Sequence, residues 1–484
     1  MTDDVLIVGT GFAGLGMAIR LAQAGITRFS LLERADDIGG TWRDNHYPGA
    51  ACDVESHLYS FSFEPNPDWT RTFAGQREIL EYLKGCAKKY DLYSHIRFGA
   101  GVSGARWDEA SRLWNVRLED GVTLTARVLV PGCGALSRPG RPDIPGLDRF
   151  QGKQFHSARW DHSFALDGKD VAVIGTGASA IQIVPAIAPV VRRLHVYQRT
   201  PPWILPKPDV PIPPSRRALY RREPALQSLR RRMIYWEREA LGLGFVSQPR
   251  LLWAAQIMSR RYLKQSVASP ELRAKLSPRY KMGCKRILPT NDFYPALQRP
   301  NVELVTEGIE EVTARGIRTQ DGVERAFDGI VLATGFEAAE HCSPFEILGR
   351  DGRSLDVAWE GGAEAYLGTS VSGFPNLFLI VGPNVALGHS SMILIIEAQI
   401  AYIRDAIETM RRDGLHAVDV QPATQARYNE EIQDRLSRSI WASGCKSWYL
   451  TRSGKNTTLW PGLIGEFRRR TERFDAAHYE VVRA

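Results

Sequence analysis

Glu33 and Arg199 occupy the same place in two copies of one pattern, and they carry opposite charge. Each stands 24 residues beyond the first glycine of a GxGxx(G/A) turn. The first copy, DVLIVGTGFAG, places Gly9, Gly11 and Gly14; the second, DVAVIGTGASA, places Gly175, Gly177 and Ala180, at a constant offset of 166 residues. In such a turn the first glycine makes a tight bend, the second lets backbone approach a pyrophosphate, and the third, or an alanine, lets helix pack on strand. The helix start then turns its unpaired N–H groups and positive dipole end toward the phosphates. The side chain closing the next strand meets the adenosine ribose. A carboxylate there, Glu33, accepts hydrogen bonds from the ribose hydroxyls and repels a 2′-phosphate. A guanidinium, Arg199, offers a planar fork to a phosphate dianion, with the Thr200 hydroxyl beside it. The expectation is FAD on the first unit and NADPH on the second, with hydride passing from nicotinamide to flavin.

Both turns need a strand before them and a helix after. Short apolar strands precede each, and helical patterns follow, GLGMAIRLAQAG in one and AIQIVPAIAPVV in the other. With 484 residues and 44% hydrophobic content, the chain can bury several cores. No apolar run approaches the roughly 18 to 20 residues that cross a bilayer, and MTDDVLIVGTG enters a strand without a basic leader, so a cytoplasmic protein is expected. Cys52, Cys86, Cys133, Cys284, Cys342 and Cys445 are scattered without CxxC spacing and read as reduced packing residues. The dithiol that a flavin disulfide reductase needs is therefore not expected, and the histidines show no metal-binding spacing. The net charge of +8 is concentrated: Ser215 to Gln265 holds twelve Lys or Arg against three Glu, a balance of +9. That segment reads as helical, its charges as solvated faces, with an anionic membrane surface or partner as the alternative; nucleic acid is not expected.

Three further stretches bear on where the electrons go. GGTWRDNHYPGAACDVESHLYSFSF, from Gly39 to Phe63, offers Trp42, Tyr47 and Tyr59 as flat walls for a planar ring, with Gly39 and Gly40 permitting close backbone approach. FQGKQFHSARWD lies between the nucleotide units, and GCKRILPTNDFYPAL, from Gly283, carries the adjacent Lys285 and Arg286. At these residues the sequence resembles the flavin-dependent Baeyer–Villiger monooxygenases. Their pattern FxGxxxHxxxW(P/D) is met by Phe150, Gly152, His156, Trp160 and Asp161. Their pattern (A/G)GxWxxxx(F/Y)P(G/M)xxxD is met by Gly39, Gly40, Trp42, Tyr47, Pro48, Gly49 and Asp53. Related N- and S-oxygenating enzymes share the Phe, Gly and His but lack the Trp and Asp ending, so the match leans to ketone oxidation and leaves nitrogen or sulfur oxygenation as the alternative.

The resemblance implies an α/β fold with two Rossmann-like dinucleotide-binding domains, for FAD and NADP, and a helical insertion in the second. It implies a C4a-peroxyflavin that adds to a ketone carbonyl and yields an ester or lactone, with ketone and O2 as the small-molecule partners. Fixed positive charge in a dry site would favour such an anion. By the same matching Arg286 is the active-site arginine and Asp53 the acid that holds it, Lys285 joins Arg199 and Thr200 on the 2′-phosphate, Trp448 closes over NADP, and Met392 contacts the flavin. His156 is assigned to the movement between domains and not to catalysis. The candidate flavin set is then Gly9, Gly11, Phe12, Ala13, Gly14, Glu33, Gly40, Thr41, Trp42, Asp53, Tyr59, Val102 and Met392. The candidate NADP set is Gly175, Thr176, Gly177, Ala178, Ser179, Ala180, Gln182, Arg199, Thr200, Lys285, Arg286 and Trp448. Expected boundaries are 1–140 and 375–484 for the FAD domain, 141–167 for a linker, 168–208 and 276–374 for the NADP domain, and 209–275 for the insert. GCKR lacks the threonine many members carry before the lysine, and VPGCGALSRP replaces the usual ATG form, departures that bear on substrate range.

Overall fold

A computed structural model describes residues 3–134, 136–337, 345–445 and 447–483. The first unit opens with β1 (Asp3–Val8), α1 (Phe12–Gln23) and β2 (Phe29–Leu32) and continues through β3 (Ile96–Arg97), β4 (Val102–Asp108), β5 (Leu113–Leu118) and β6 (Thr123–Pro131). Its seven-stranded sheet runs Glu346–Leu348, β4, β5, β6, β1, β2, β3. The β6-β1-β2-β3 half is parallel and β4-β5-β6 antiparallel. β1 is central and buried on both faces: Val5 and Ile7 enter the core under α1, while Leu6 and Val8 enter the core on the opposite face.

The second unit is a five-stranded sheet, parallel throughout. Its strands, in chain order, are β7 (Lys153–His156), β8 (Asp170–Ile174), β9 (Arg193–Tyr197), β10 (Val302–Val305) and β11 (Gly329–Leu332), with α2 (Ala180–Ile187) between β8 and β9. The spatial order is β10-β9-β8-β11-β7. Val171 and Val173 face one core and Ala172 and Ile174 the other.

Two short strands cross the boundaries expected from sequence. β7, inside the 141–167 span, is an edge strand of the second sheet, and Glu346–Leu348, inside 276–374, pairs with β4 in the first. Strands of three or four residues carry too little alternation to announce a distant partner. Four helices, α3 (Pro214–Arg222), α4 (Pro224–Val246), α5 (Leu252–Ser266) and α6 (Pro270–Lys275), occupy the 209–275 span, and α7 (Met392–Arg412) packs beside α1. No helix among the described residues is long and apolar enough to cross a membrane.

The two turns differ at their third position. A Cβ on Gly14 would stand 1.8 Å from the Gly9 carbonyl oxygen, a clash with backbone that cannot yield. The second turn accommodates Ala180 in full burial at the start of α2. Gly14→Ala is expected to lower stability by about 1–3 kcal/mol through overpacking. Ala180→Gly should cost only about 0.5–1 kcal/mol. Denaturant melts of the two variants check the asymmetry.

Candidate active site

The carboxyl ends of β1 and β2 in the first sheet and of β8 and β9 in the second open on one cavity of about 1310 Å³. Ligands of open α/β sheets bind at that edge. Every candidate residue lines the cavity except Gly14 and Ala180, which lie beneath their turns. Gly9 and Gly175 take the positive φ values, 101° and 113°, that their bends require. At Gly40, with φ 50°, an added Cβ would come within 3.0 Å of Gly11 Cα, so the aromatic loop and the first turn touch backbone to backbone. Gly11 caps α1 without a side-chain bond, so no side chain covers the first-turn amides.

Glu33 is almost fully buried and already engaged. Its carboxylate accepts from Thr10 Oγ1 (2.6 Å), Thr10 N (3.2 Å) and Ala35 N (3.0 Å), and it pairs with Arg43 at 2.9 Å. It therefore ties the strand end to the glycine turn as well as presenting negative charge to the cavity. Arg43, in the same aromatic loop, went unnoticed in the sequence. Its adjacency to Trp42 was the available signal, but its pairing with Glu33 and Asp44 exists only in the fold.

The second unit presents the reverse field. Arg199 is exposed and Lys285 half-buried. Burial pushes the Lys285 ammonium below its ordinary pKa, neighbouring Arg199 pushes it the same way, and no carboxylate offsets either effect. Two adjacent cations without a shared acid form a ready anion site. Gln182 spends its side chain differently from expectation. It donates to Ala51 O (2.9 Å) and accepts from Tyr47 Oη (2.9 Å), fastening the aromatic loop to α2 while still lining the cavity.

Asp53 and Arg286 meet across the two units, 233 residues apart in sequence. Arg286 donates from Nε and Nη2 to the two Asp53 oxygens, both at 2.8 Å. Burial would push the Asp53 carboxyl up, but the guanidinium charge and its hydrogen bonds outweigh this and hold it below the ordinary value. Asp53 in turn raises Arg286 further. Both groups stay ionised, with 24% and 29% of their side-chain surface open.

Buried Tyr197 Oη, Gln198 Oε1, Ser390 Oγ and Thr458 Oγ1 lack protein partners, and their residues line the cavity. Buried polar atoms normally have partners, so a polar ligand suits the cavity at Gln198, Ser390 and Thr458, whereas the Tyr197 ring packs against Phe327. None of these four was read from the sequence, since no spacing marks them. His156 lies outside the cavity, at the end of β7, where its Nδ1 accepts from Ala158 N at 3.1 Å. Burial pushes the Cys133 thiol up to about 12 and Cys52 higher still, which leaves neither as a thiolate. Among the described residues no group of three potential metal ligands gathers.

The expectation of unpaired cysteines is corrected for one pair. Cys284 and Cys445, 161 residues apart, form a disulfide with Cα atoms 6.3 Å apart. Spacing along the chain cannot reveal such a pairing, because the fold alone makes the two neighbours. Cys342 lies outside the described residues. The bond joins the Lys285–Arg286 loop to the segment carrying Trp448 and buried Tyr449, whose ring stands close enough to Arg286 to influence its charge.

A sequence model of the flavin-binding monooxygenase-like family matches residues 2–221. A Baeyer-Villiger monooxygenase of Pseudomonas aeruginosa is 50% identical over 480 residues, covering 99% of this chain and 91% of the relative. The chain belongs to the Baeyer–Villiger monooxygenases. A Streptomyces coelicolor Baeyer–Villiger monooxygenase is 48% identical, with 99% and 92% covered. Among solved structures, an oxidised steroid monooxygenase bound to NADP superposes with TM-score 0.88 at 32% identity, each chain covered in full. An OTEMO complex with FAD and NADP gives 0.90 at 29%, and a closed cyclohexanone monooxygenase 0.89 at 30%, both with full coverage.

Thiol titration of the unfolded protein should find two fewer reactive thiols before reduction than after. Equal counts would show that Cys284 and Cys445 are not joined. Replacing either by serine should weaken NADPH retention severalfold by loosening the Trp448 segment, measured by cofactor titration.

Proposed function

We propose that this enzyme uses FAD, NADPH and O2 to insert one oxygen atom beside a ketone carbonyl, forming an ester or lactone. The observation that carries this reading is the Arg286 guanidinium at the cavity wall, fixed by the two bonds it donates to Asp53. When bound, FAD supplies the reducible ring at which dioxygen is activated, and NADPH supplies the hydride. The first turn and Glu33 hold the adenosine end of FAD. Trp42 and Tyr59, locked edge to face with Trp42 Nε1 donating to Tyr59 Oη at 3.1 Å, wall the ring side with Val102 and Met392. The second turn, Arg199, Thr200 and Lys285 hold the phosphorylated ribose, and Trp448 covers the nicotinamide side.

Arg286 holds its proton at every working pH and so serves as fixed positive charge, not as an acid. Aimed into a site that excludes water, such a charge favours the anion that attacks a carbonyl and the oxyanion that follows. Oxygenation of a sulfide or amine proceeds through a protonated electrophile and makes no such demand.

Arg286→Ala should slow ketone oxygenation on the order of 100- to 1,000-fold, while NADPH still reduces the bound flavin. Ester formation by this variant at the parent rate would overturn the role given to Arg286, and a parent enzyme that oxidises sulfides but forms no ester would overturn the ketone reading. Arg199→Ala should raise KM for NADPH roughly 10- to 100-fold, as loss of a charge-assisted bond does, and leave NADH nearly unaffected. The pH dependence has a definite sign. Lys285 loses its proton below its ordinary value of 10.5, so NADPH affinity falls as pH rises toward that value. Lys285→Arg should flatten the profile, and a KM that ignores alkaline pH in the parent enzyme contradicts the assignment.

A further inference from the structure

We propose that the helical insert is a peripheral docking surface for anionic lipid bilayers. Of the seventeen large apolar side chains exposed on the described chain, eight lie between Leu226 and Met258. On α4, Leu226, Leu229, Met233, Trp236 and Leu243 follow at steps of three, four, three and seven residues along one side, a stripe of roughly 25 Å at 1.5 Å per residue. Trp236 is 66% exposed and Trp253 of α5 68%. Contiguous exposed apolar surface of this kind marks a site of association, and tryptophan favours the boundary between water and lipid.

The opposite side of α4 is spoken for. Gln227 donates to Asn66 O (2.7 Å), Arg231 to His57 O (2.8 Å) and Ser60 O (2.9 Å), Arg238 pairs with Glu55 (2.7 Å), and Glu239 accepts from Ile464 N (2.9 Å). These bonds fasten the helix to the FAD-side loops and turn the apolar stripe outward.

Charge selects the occupant. The segment Ser215 to Gln265 holds a sequence balance of +9; Arg221, Arg231 and Arg238 pair with Asp68, Glu397 and Glu55 outside it, and the exposed cations that remain include Arg232 on α4, Arg250 in the turn before α5, and Arg260 and Lys264, which share a side of α5 with Trp253. An apolar stripe with tryptophan and a cationic border lies in the interface plane of an anionic membrane. A second copy of the chain would bring two such positive segments together, which opposes pairing. Attachment is peripheral, since no helix among the described residues can cross a bilayer.

The test is cosedimentation of the flavin-loaded protein with vesicles of phosphatidylcholine alone and of an equal mixture of phosphatidylcholine and phosphatidylglycerol. Binding to the mixed vesicles, reversed by added salt and weak on the neutral ones, is the expected result. Arg232→Gln with Arg250→Gln should weaken it about 30-fold, at roughly 1 kcal/mol per cation. Trp236→Ser with Met233→Ser should weaken it further while salt-sensitive residual binding persists. Flavin absorbance and ketone turnover in solution should be unchanged in all variants. Equal binding to both vesicle types, none to either, or self-association in ultracentrifugation that the serine variant abolishes would overturn the proposal.

Discussion

The ion pair between Asp53 and Arg286 joins the two halves of the molecule at the place where they share a cavity. Asp53 comes from the aromatic loop of the first unit and Arg286 from the loop that leaves the insert. Each alone would be costly there. Breaking a buried pair by removing one partner typically costs about 3–5 kcal/mol, and less where the pair faces an open cavity as here. Together they hold a guanidinium in one orientation without neutralising it completely, because one edge of each remains open to the cavity. Gln182, bonded to Tyr47 and Ala51, braces the same junction.

Around that junction the field is asymmetric. The first turn ends against Glu33, which Thr10, Ala35 and Arg43 hold in place. The second ends against Arg199 and Lys285, where burial and the Arg199 charge lower the Lys285 ammonium and no carboxylate offsets them. Nearly identical backbone turns thus present opposite signs to the cavity. The disulfide from Cys284 to Cys445 places the Trp448 segment beside the cationic end. The residues proposed for cofactor selection and for oxygen chemistry, Lys285 and Arg286, are therefore neighbours.

The paired nucleotide units were legible because glycine turns, apolar strands and helix starts are local features with fixed spacing. Glu33 and Arg199 were legible for the same reason, each being set by a count from its own turn. Arg286 and Asp53 were named only through family patterns, since nothing within either loop specifies a partner 233 residues away. Arg43, Ser390, Thr458 and the cysteine bridge escaped notice because tertiary packing alone gives them their neighbours. Short edge strands such as β7 escaped for a related reason, since their pairing energy comes from strands far along the chain. The charge of the insert was visible in composition, but which side of α4 faces outward required the bonds made by Arg231 and Arg238.

If Asp53 acts on the reaction by holding Arg286, the two residues function as one unit, and their losses cannot be independent. A double-mutant cycle on ketone turnover, with Asp53→Ala, Arg286→Ala and both together, measures this directly. The account predicts that the double variant is no slower than Arg286→Ala alone. Losses that multiply, or an Asp53→Ala enzyme as fast as the parent, would contradict it.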